Sequence, residues 1–226
     1  TRIRDANPQD PSGAALLGDA HLAARDGIAA VAAYQAAFDL NPSGALVQAM
    51  ARAERVAGHP DKAVARLRAW LDKHPNDHLI RLGLATLQQG GGDKSNAARG
   101  YEAILDQAPD NVVALNNLAW VYQEFEDKRA IEYAKRAYQL AGSSPVVADT
   151  YGWFLVLDGN LQQGLNVLKR AAEGAPLSME IRYHLAYALL RVGDEDEAMQ
   201  LLDEVLASDQ EFEAKKDARA LRATLE

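Results

Sequence analysis

Five histidines and an excess of carboxylates are the residues with which this chain could do chemistry. His74 and His78 have the i, i+4 spacing by which one helical face holds a metal ion. Pro75 between them marks a helix boundary, so the two imidazoles do not share a face. Gly90-Gly91-Gly92 has the composition of a phosphate cradle, but the Lys-Ser/Thr that completes a P-loop does not follow. Glu195 and Glu197 fall at a helix start, where carboxylates complement the helix dipole and keep the surface solvated. The chain has no cysteine, which excludes disulfides and thiol chemistry. The expectation is a chain with no catalytic residue, no metal site and no cofactor, whose function is recognition.

A recognition surface must be held by a regular scaffold, and the spacing supplies one. Prolines recur at Pro8, Pro42, Pro75, Pro109 and Pro176, with Gly142 in the slot between the last two, in steps of 34, 33, 34, 33 and 34 residues. Two small-residue series keep the same beat: Gly18, Ala51, Ala85, Ala119, Gly152, Ala186, and Ala30, Ala63, Ala97, Ala130, Gly164, Ala198. Such a period marks a stack of short supersecondary units. Each unit reads as two helices. In the fourth, Val112, Leu115, Leu118, Ala119 and Tyr122 fall at helical spacing, Glu126-Asp127 interrupts, and Ile131, Ala134, Ala137 and Tyr138 resume. Turns are signalled by Arg25-Asp26-Gly27, Gly58-His59-Pro60, Gly90-Gly91-Gly92-Asp93, Asp158-Gly159-Asn160 and Gly193-Asp194. The small residues mark where the two helices of a hairpin cross too closely for a larger side chain. The fold class is all-α.

These residues resemble the tetratricopeptide repeat (TPR) family, whose pattern has small residues at the hairpin crossing, a large apolar residue in the second helix and a closing proline. Tyr34, Leu67, Tyr101, Ala134, Leu168 and Leu202 stand at that second-helix position. Trp70 and Tyr151 fall where side chains point into a hairpin core, as does Tyr122. The resemblance implies a right-handed TPR solenoid of six hairpins, at 9–42, 43–75, 76–109, 110–142, 143–176 and 177–210. Residues 211–226 read as a C-terminal capping helix with Phe212, Ala214, Ala218, Leu221 and Leu225 on its apolar side and Lys215, Lys216, Asp217, Arg219 and Arg222 on the other. Residues 1–8 read as the end of an upstream repeat, so the chain is expected to be a piece of a longer one.

In this family the first helices line a concave groove that holds an extended ligand. Carried over by register, the groove comprises Asn116, Asn117, Trp120 and Gln123, then Asp149, Thr150 and Trp153, then Tyr183, His184 and Tyr187. Trp120, Trp153 and Tyr187 form a ladder at steps of 33 and 34 residues. Rings beside amide, carboxylate and imidazole groups suit a ligand with apolar faces and polar edges, and the same rings can serve to pack one first helix on the next. The carboxylate clamp of chaperone-binding members is not matched, since Leu82, Thr86, Val146 and Thr150 stand where Lys, Asn and Arg are needed. An asparagine ladder would need Asn at Gly83, Thr150 and His184.

The segments Ala114–Trp120, Asp149–Trp153 and Glu180–Ala186 are also similar to the C-terminal repeats of bacterial TPR lipoproteins from exopolysaccharide and PEP-CTERM systems. That similarity implies a periplasmic or outer-membrane-associated scaffold for envelope polymer export or protein sorting; without it the compartment is the cytoplasm. The expected partner is a protein or peptide. The alternatives are a carbohydrate-binding module for a secreted polysaccharide, and a structural spacer that self-associates through its incomplete first repeat. A net charge of −8 disfavours a nucleic-acid groove, which needs clustered Lys and Arg. No apolar run is long enough to insert in a membrane.

Overall fold

The computed structural model describes residues 10–225, and the expectation for residues 1–8 lies outside them. Among the described residues there are thirteen helices and no strand. They fall into two compact units that divide at Pro109. The first unit contains α1 (Pro11–Ala23), α2 (Gly27–Leu40), α3 (Gly44–Val56), α4 (Pro60–Leu71), α5 (His78–Gly90) and α6 (Lys94–Leu105). The second contains α7 (Val112–Glu124), α8 (Arg129–Ala141), α9 (Pro145–Leu157), α10 (Leu161–Gly174), α11 (Met179–Val192), α12 (Glu195–Ala207) and α13 (Lys215–Ala223). Within each unit, successive helices pair as hairpins and pack on the next pair.

One residue both closes the first helix of each hairpin and opens the second. The backbone N–H of Asp26, His59, Asp93, Asp127, Asn160 and Asp194 reaches back five residues to a carbonyl at 2.8–3.0 Å. This is the Schellman closure, and it needs the preceding residue in the left-handed region. That residue is Arg25, Gly58, Gly92, Glu126, Gly159 or Gly193, with φ from 54° to 95°. The steps between them are 33, 34, 34, 33 and 34 residues. Asp26 and Asp93 then use their carboxylates to cap Ala29 N–H at 3.0 Å and Asn96 N–H at 3.4 Å. Glu126 carries a Cβ where four of its equivalents have none. Glu126→Gly is therefore expected to raise unfolding free energy by about 0.5–1 kcal/mol, after allowing for the added freedom of the unfolded chain. Urea denaturation checks this, and an unchanged or lowered midpoint would contradict it.

The small-residue series are the crossing points. Ala30, Ala63, Ala85, Ala97, Ala119, Ala186 and Ala198 are fully or almost fully buried. A Cβ built on Gly18 would lie 2.5 Å from the Tyr34 ring, and one on Gly152 would lie 2.9 Å from Leu168 Cγ. Tyr34 and Leu168 are two of the six second-helix residues named above, and all six are at most 1% exposed. Leaving a side chain such as Tyr34 or Leu168 in water would forfeit roughly 1.5–3 kcal/mol, and the small residue opposite gives it room; in the fourth hairpin Ala134 takes the second-helix place.

Three positions differ from expectation. Trp70, assigned to a hairpin core, is half-buried. It walls an open cavity of about 640 Å³ with Phe38 and Met50, stacks on His74 at 4.0 Å and donates from Nε1 to Asp77 Oδ2 at 2.8 Å. The final helix begins only at Lys215, not at residue 211. Lys215 itself is buried, because its ammonium donates to the carbonyls of Ser208 and Gln210 and to Glu211 Oε1 at 3.0–3.3 Å. Those carbonyls lie around the exit of α12, so the cation ties the entry of α13 to it. Ala214 and Ala218 pack against Met179, Tyr183, Leu202 and Val205, covering the end of the second unit's core.

Candidate functional site

The groove residues all lie on three first helices of the second unit, α7, α9 and α11. Helix α7 starts at Asn111, whose side chain accepts from Ala114 N–H at 3.0 Å. Helix α9 starts with Pro145 in its first turn, and α11 starts at Ser178, whose hydroxyl accepts from Ile181 N–H at 3.5 Å. With the helix starts set by the repeat, residues 33 or 34 apart come to equivalent places on neighbouring helices.

The ladder residues are packed against the next helix and keep part of their surface exposed. Trp120, Trp153 and Tyr187 are each half-buried. Trp120 Nε1 donates to Thr150 Oγ1 at 3.0 Å, and its ring meets Phe154 edge-on at 5.0 Å. Trp153 stacks on His184 at 4.2 Å and meets Tyr187 edge-on at 5.0 Å. Each indole thus leans on the next first helix along the stack. Such geometries add roughly 0.5–1.5 kcal/mol per aromatic pair beyond area burial.

The polar members are deeper. Asn116, Asp149, Thr150, Tyr183 and His184 are buried, while Asn117 and Gln123 are half-buried on α7. His184 Nδ1 lies 2.8 Å from Asp149 Oδ1, so the two side chains share a hydrogen bond between α11 and α9. His184 Nε2 faces Glu180 Oε1 at 3.8 Å. Burial pushes the Glu180 carboxyl above its ordinary range, and the nearby His184 opposes the shift. The Tyr183 phenol is pushed up to about 12, chiefly by burial, with the charges of Asp217, Tyr187 and Glu180 acting in the same direction. Asn116 Oδ1 is buried and accepts no hydrogen bond. The Thr150 hydroxyl is fully used, since it accepts from Trp120 and donates to Val146 O at 3.0 Å.

Register reasoning missed the acidic company of this face. Glu180 is the i−4 neighbour of His184 on α11, so helical spacing alone could have added it to the set. Glu213 and Asp217 come from the α13 segment and act electrostatically on Glu180 and Tyr183 respectively. In the first unit the corresponding first-helix face carries Leu82, Gly83 and Thr86. They line a cavity of about 410 Å³ with Gln48, Arg52 and Arg55.

A stack of helix hairpins that presents rings and polar groups on its first helices has the architecture of a helical-repeat interaction scaffold. Family models described as tetratricopeptide repeat match residues 44–87 and 155–225. The chain is a tetratricopeptide repeat protein, and its fold is an all-α TPR solenoid. No curated protein matches it. Among solved structures, the APC/C hetero-tetramer Cut9–Hcn1 is similar with a TM-score of 0.80 at 17% identity, over 99% of this chain and 44% of that one. A tetratricopeptide repeat protein from Parabacteroides merdae gives 0.75 at 17% identity, over 95% and 85% of the two chains. PilF of Pseudomonas aeruginosa gives 0.75 at 15% identity, over 93% and 97%. The present chain thus spans less than half of the Cut9–Hcn1 chain, and likeness at these identities is likeness of fold.

Proposed function

We propose that the chain is a non-enzymatic scaffold that holds an extended protein segment along the first helices of its second unit. The observation that supports this reading best is the ladder of Trp120, Trp153 and Tyr187, which are half-buried beside buried polar groups. Glu180 and Asp217 make the face acidic, so the partner segment is basic. The Thr150 hydroxyl, engaged on both sides, is a poor nucleophile for the neighbouring Asp149–His184 pair to activate. The similarity of the last repeats to exopolysaccharide and PEP-CTERM proteins extends the proposal to envelope polymer export or protein sorting.

Titrating indole fluorescence with acetylated Lys/Arg-rich peptides tests it, with acidic peptides and neutral oligosaccharides as comparators. Basic peptides should change emission that disappears in Trp120→Phe and Trp153→Phe, and binding should weaken with salt over the range where a Debye length shrinks below about 10 Å. A saturable response to oligosaccharide alone, insensitive to salt, would instead favour the carbohydrate module. Concentration-dependent mass with no ligand response would favour the spacer.

A further inference from the structure

The first unit contains a cavity of about 440 Å³ set between second helices α4 and α6, with α5 contributing the residues between them. Its lining is Arg68 from α4, Arg81, Leu84 and Gln88 from α5, and Asn96, Arg99 and Gly100 from α6. Three arginines from three helices therefore line it, and no carboxylate does. This is in a chain whose net charge is −8, so the cationic pocket runs against the overall balance.

None of the three arginines has an acidic partner among the described residues. Arg81 spends one N–H on Pro75 O at 2.5 Å, while its Nε is buried with no acceptor. Arg99 donates only to Asn96 Oδ1, at 2.6 Å. Gln88, 6% exposed, lines the cavity beside them. Cationic groups with no carboxylate to balance them favour a compact anionic ligand with several acceptor oxygens. Arginine forks match the oxygens of a phosphate two at a time, and paired contacts to such a dianion are the strong class of hydrogen bond. Leu84 adds an apolar side chain to the lining beside the charged groups.

We propose that the Arg68–Arg81–Arg99 pocket binds a phosphomonoester. The site lies in the other unit from the ladder, on second helices as well as a first helix, and its failure would leave the peptide reading untouched. Phosphate carried on a protein side chain, on a sugar or free in solution offers the same oxygens to the pocket.

Calorimetric titration of the full chain tests the proposal with N-acetyl-phosphoserine amide, glucose 1-phosphate and inorganic phosphate, beside N-acetyl-serine amide and glucose. At least one phosphorylated probe should bind saturably and its unphosphorylated counterpart should not; the best binder then names the source. Arg68→Glu and Arg99→Glu, both at exposed positions that tolerate the change, should each weaken binding by roughly tenfold or more. Arg136→Glu, in the second unit, should leave it unchanged. No saturable binding of any phosphorylated probe at millimolar concentration would overturn the proposal. So would equal binding of the unphosphorylated probes, or full affinity in both glutamate variants.

Discussion

Gly164→Ala should lower the unfolding free energy by about 2–3 kcal/mol, and Gly164→Val by more than that. The reason is the crossing of α9 and α10. A Cβ on Gly164 would stand 2.6 Å from Val156 Cγ2, 2.9 Å from Gly152 O and 3.0 Å from Val156 N. Two of those atoms are backbone, so rotamer adjustment cannot relieve the overlap and the helices must separate. Separation exposes Leu165 and Leu168, which pack with Val156, Leu185 and Leu189 in the core of the second unit. Gly90→Ala is the internal control, because a Cβ there meets nothing within 4 Å. It should be neutral or slightly stabilising, as alanine is in a helix. Urea denaturation of the three variants decides the matter; similar midpoints for Gly90→Ala and Gly164→Ala would remove the close crossing as the explanation for the small-residue series.

Asp149→Ala and His184→Ala are each expected to cost about 2–4 kcal/mol, and the double variant distinctly less than their sum. Asp149 and His184 are 6% and 3% exposed, and they face each other at 2.8 Å. Removing either leaves a buried polar group without its partner, whereas removing both takes away that penalty along with the bond. His184→Ala also strips the surface on which Trp153 stacks at 4.2 Å. Its indole emission should therefore move to longer wavelength, while Asp149→Ala should move it less. A double-mutant cycle in urea measures the coupling, expected at about 1–3 kcal/mol. Strict additivity would mean that the contact is geometric proximity with no energetic weight. The outcome bears on the peptide reading as well. If the pair is a strong tie between α9 and α11, the ladder above it is preorganised, and less ordering free energy is lost when a segment binds.

The solenoid was legible because its constraint is local and repeated. A Cβ fits or does not fit where two helices touch, so the same residue class returns whenever the same crossing returns. Gly18, Gly152 and Gly164 therefore reported the geometry from sequence, with Tyr34 and Leu168 reporting the other side of it. Turn position was legible in every unit, but the left-handed residue within the turn was legible only where glycine marked it. Arg25 and Glu126 adopt the same left-handed conformation with a side chain present, and no residue type distinguishes a tolerated strain from an ordinary loop. Lys215 and Trp70 were misread for a related reason. A helical wheel assigns a face, but it cannot know that free carbonyls wait at the end of α12 or that a cavity opens beside α4.

The register identified Trp120, Trp153 and Tyr187 as equivalent places on successive helices, and that much is a property of the 33- and 34-residue steps alone. What those side chains touch was decided by the stack. Neighbouring helices are offset, so contacts run diagonally. Trp120 meets Thr150 at a separation of 30 residues, and Asp149 meets His184 at 35. Neither is a whole repeat. The arginine pocket goes further from any repeat, since Arg68, Arg81 and Arg99 come from three helices at unequal intervals and share only a direction in space. Chain period determines which helices become neighbours; the packing of one helix against the next determines which side chains meet, because that depends on distances across the stack that no spacing along the chain encodes.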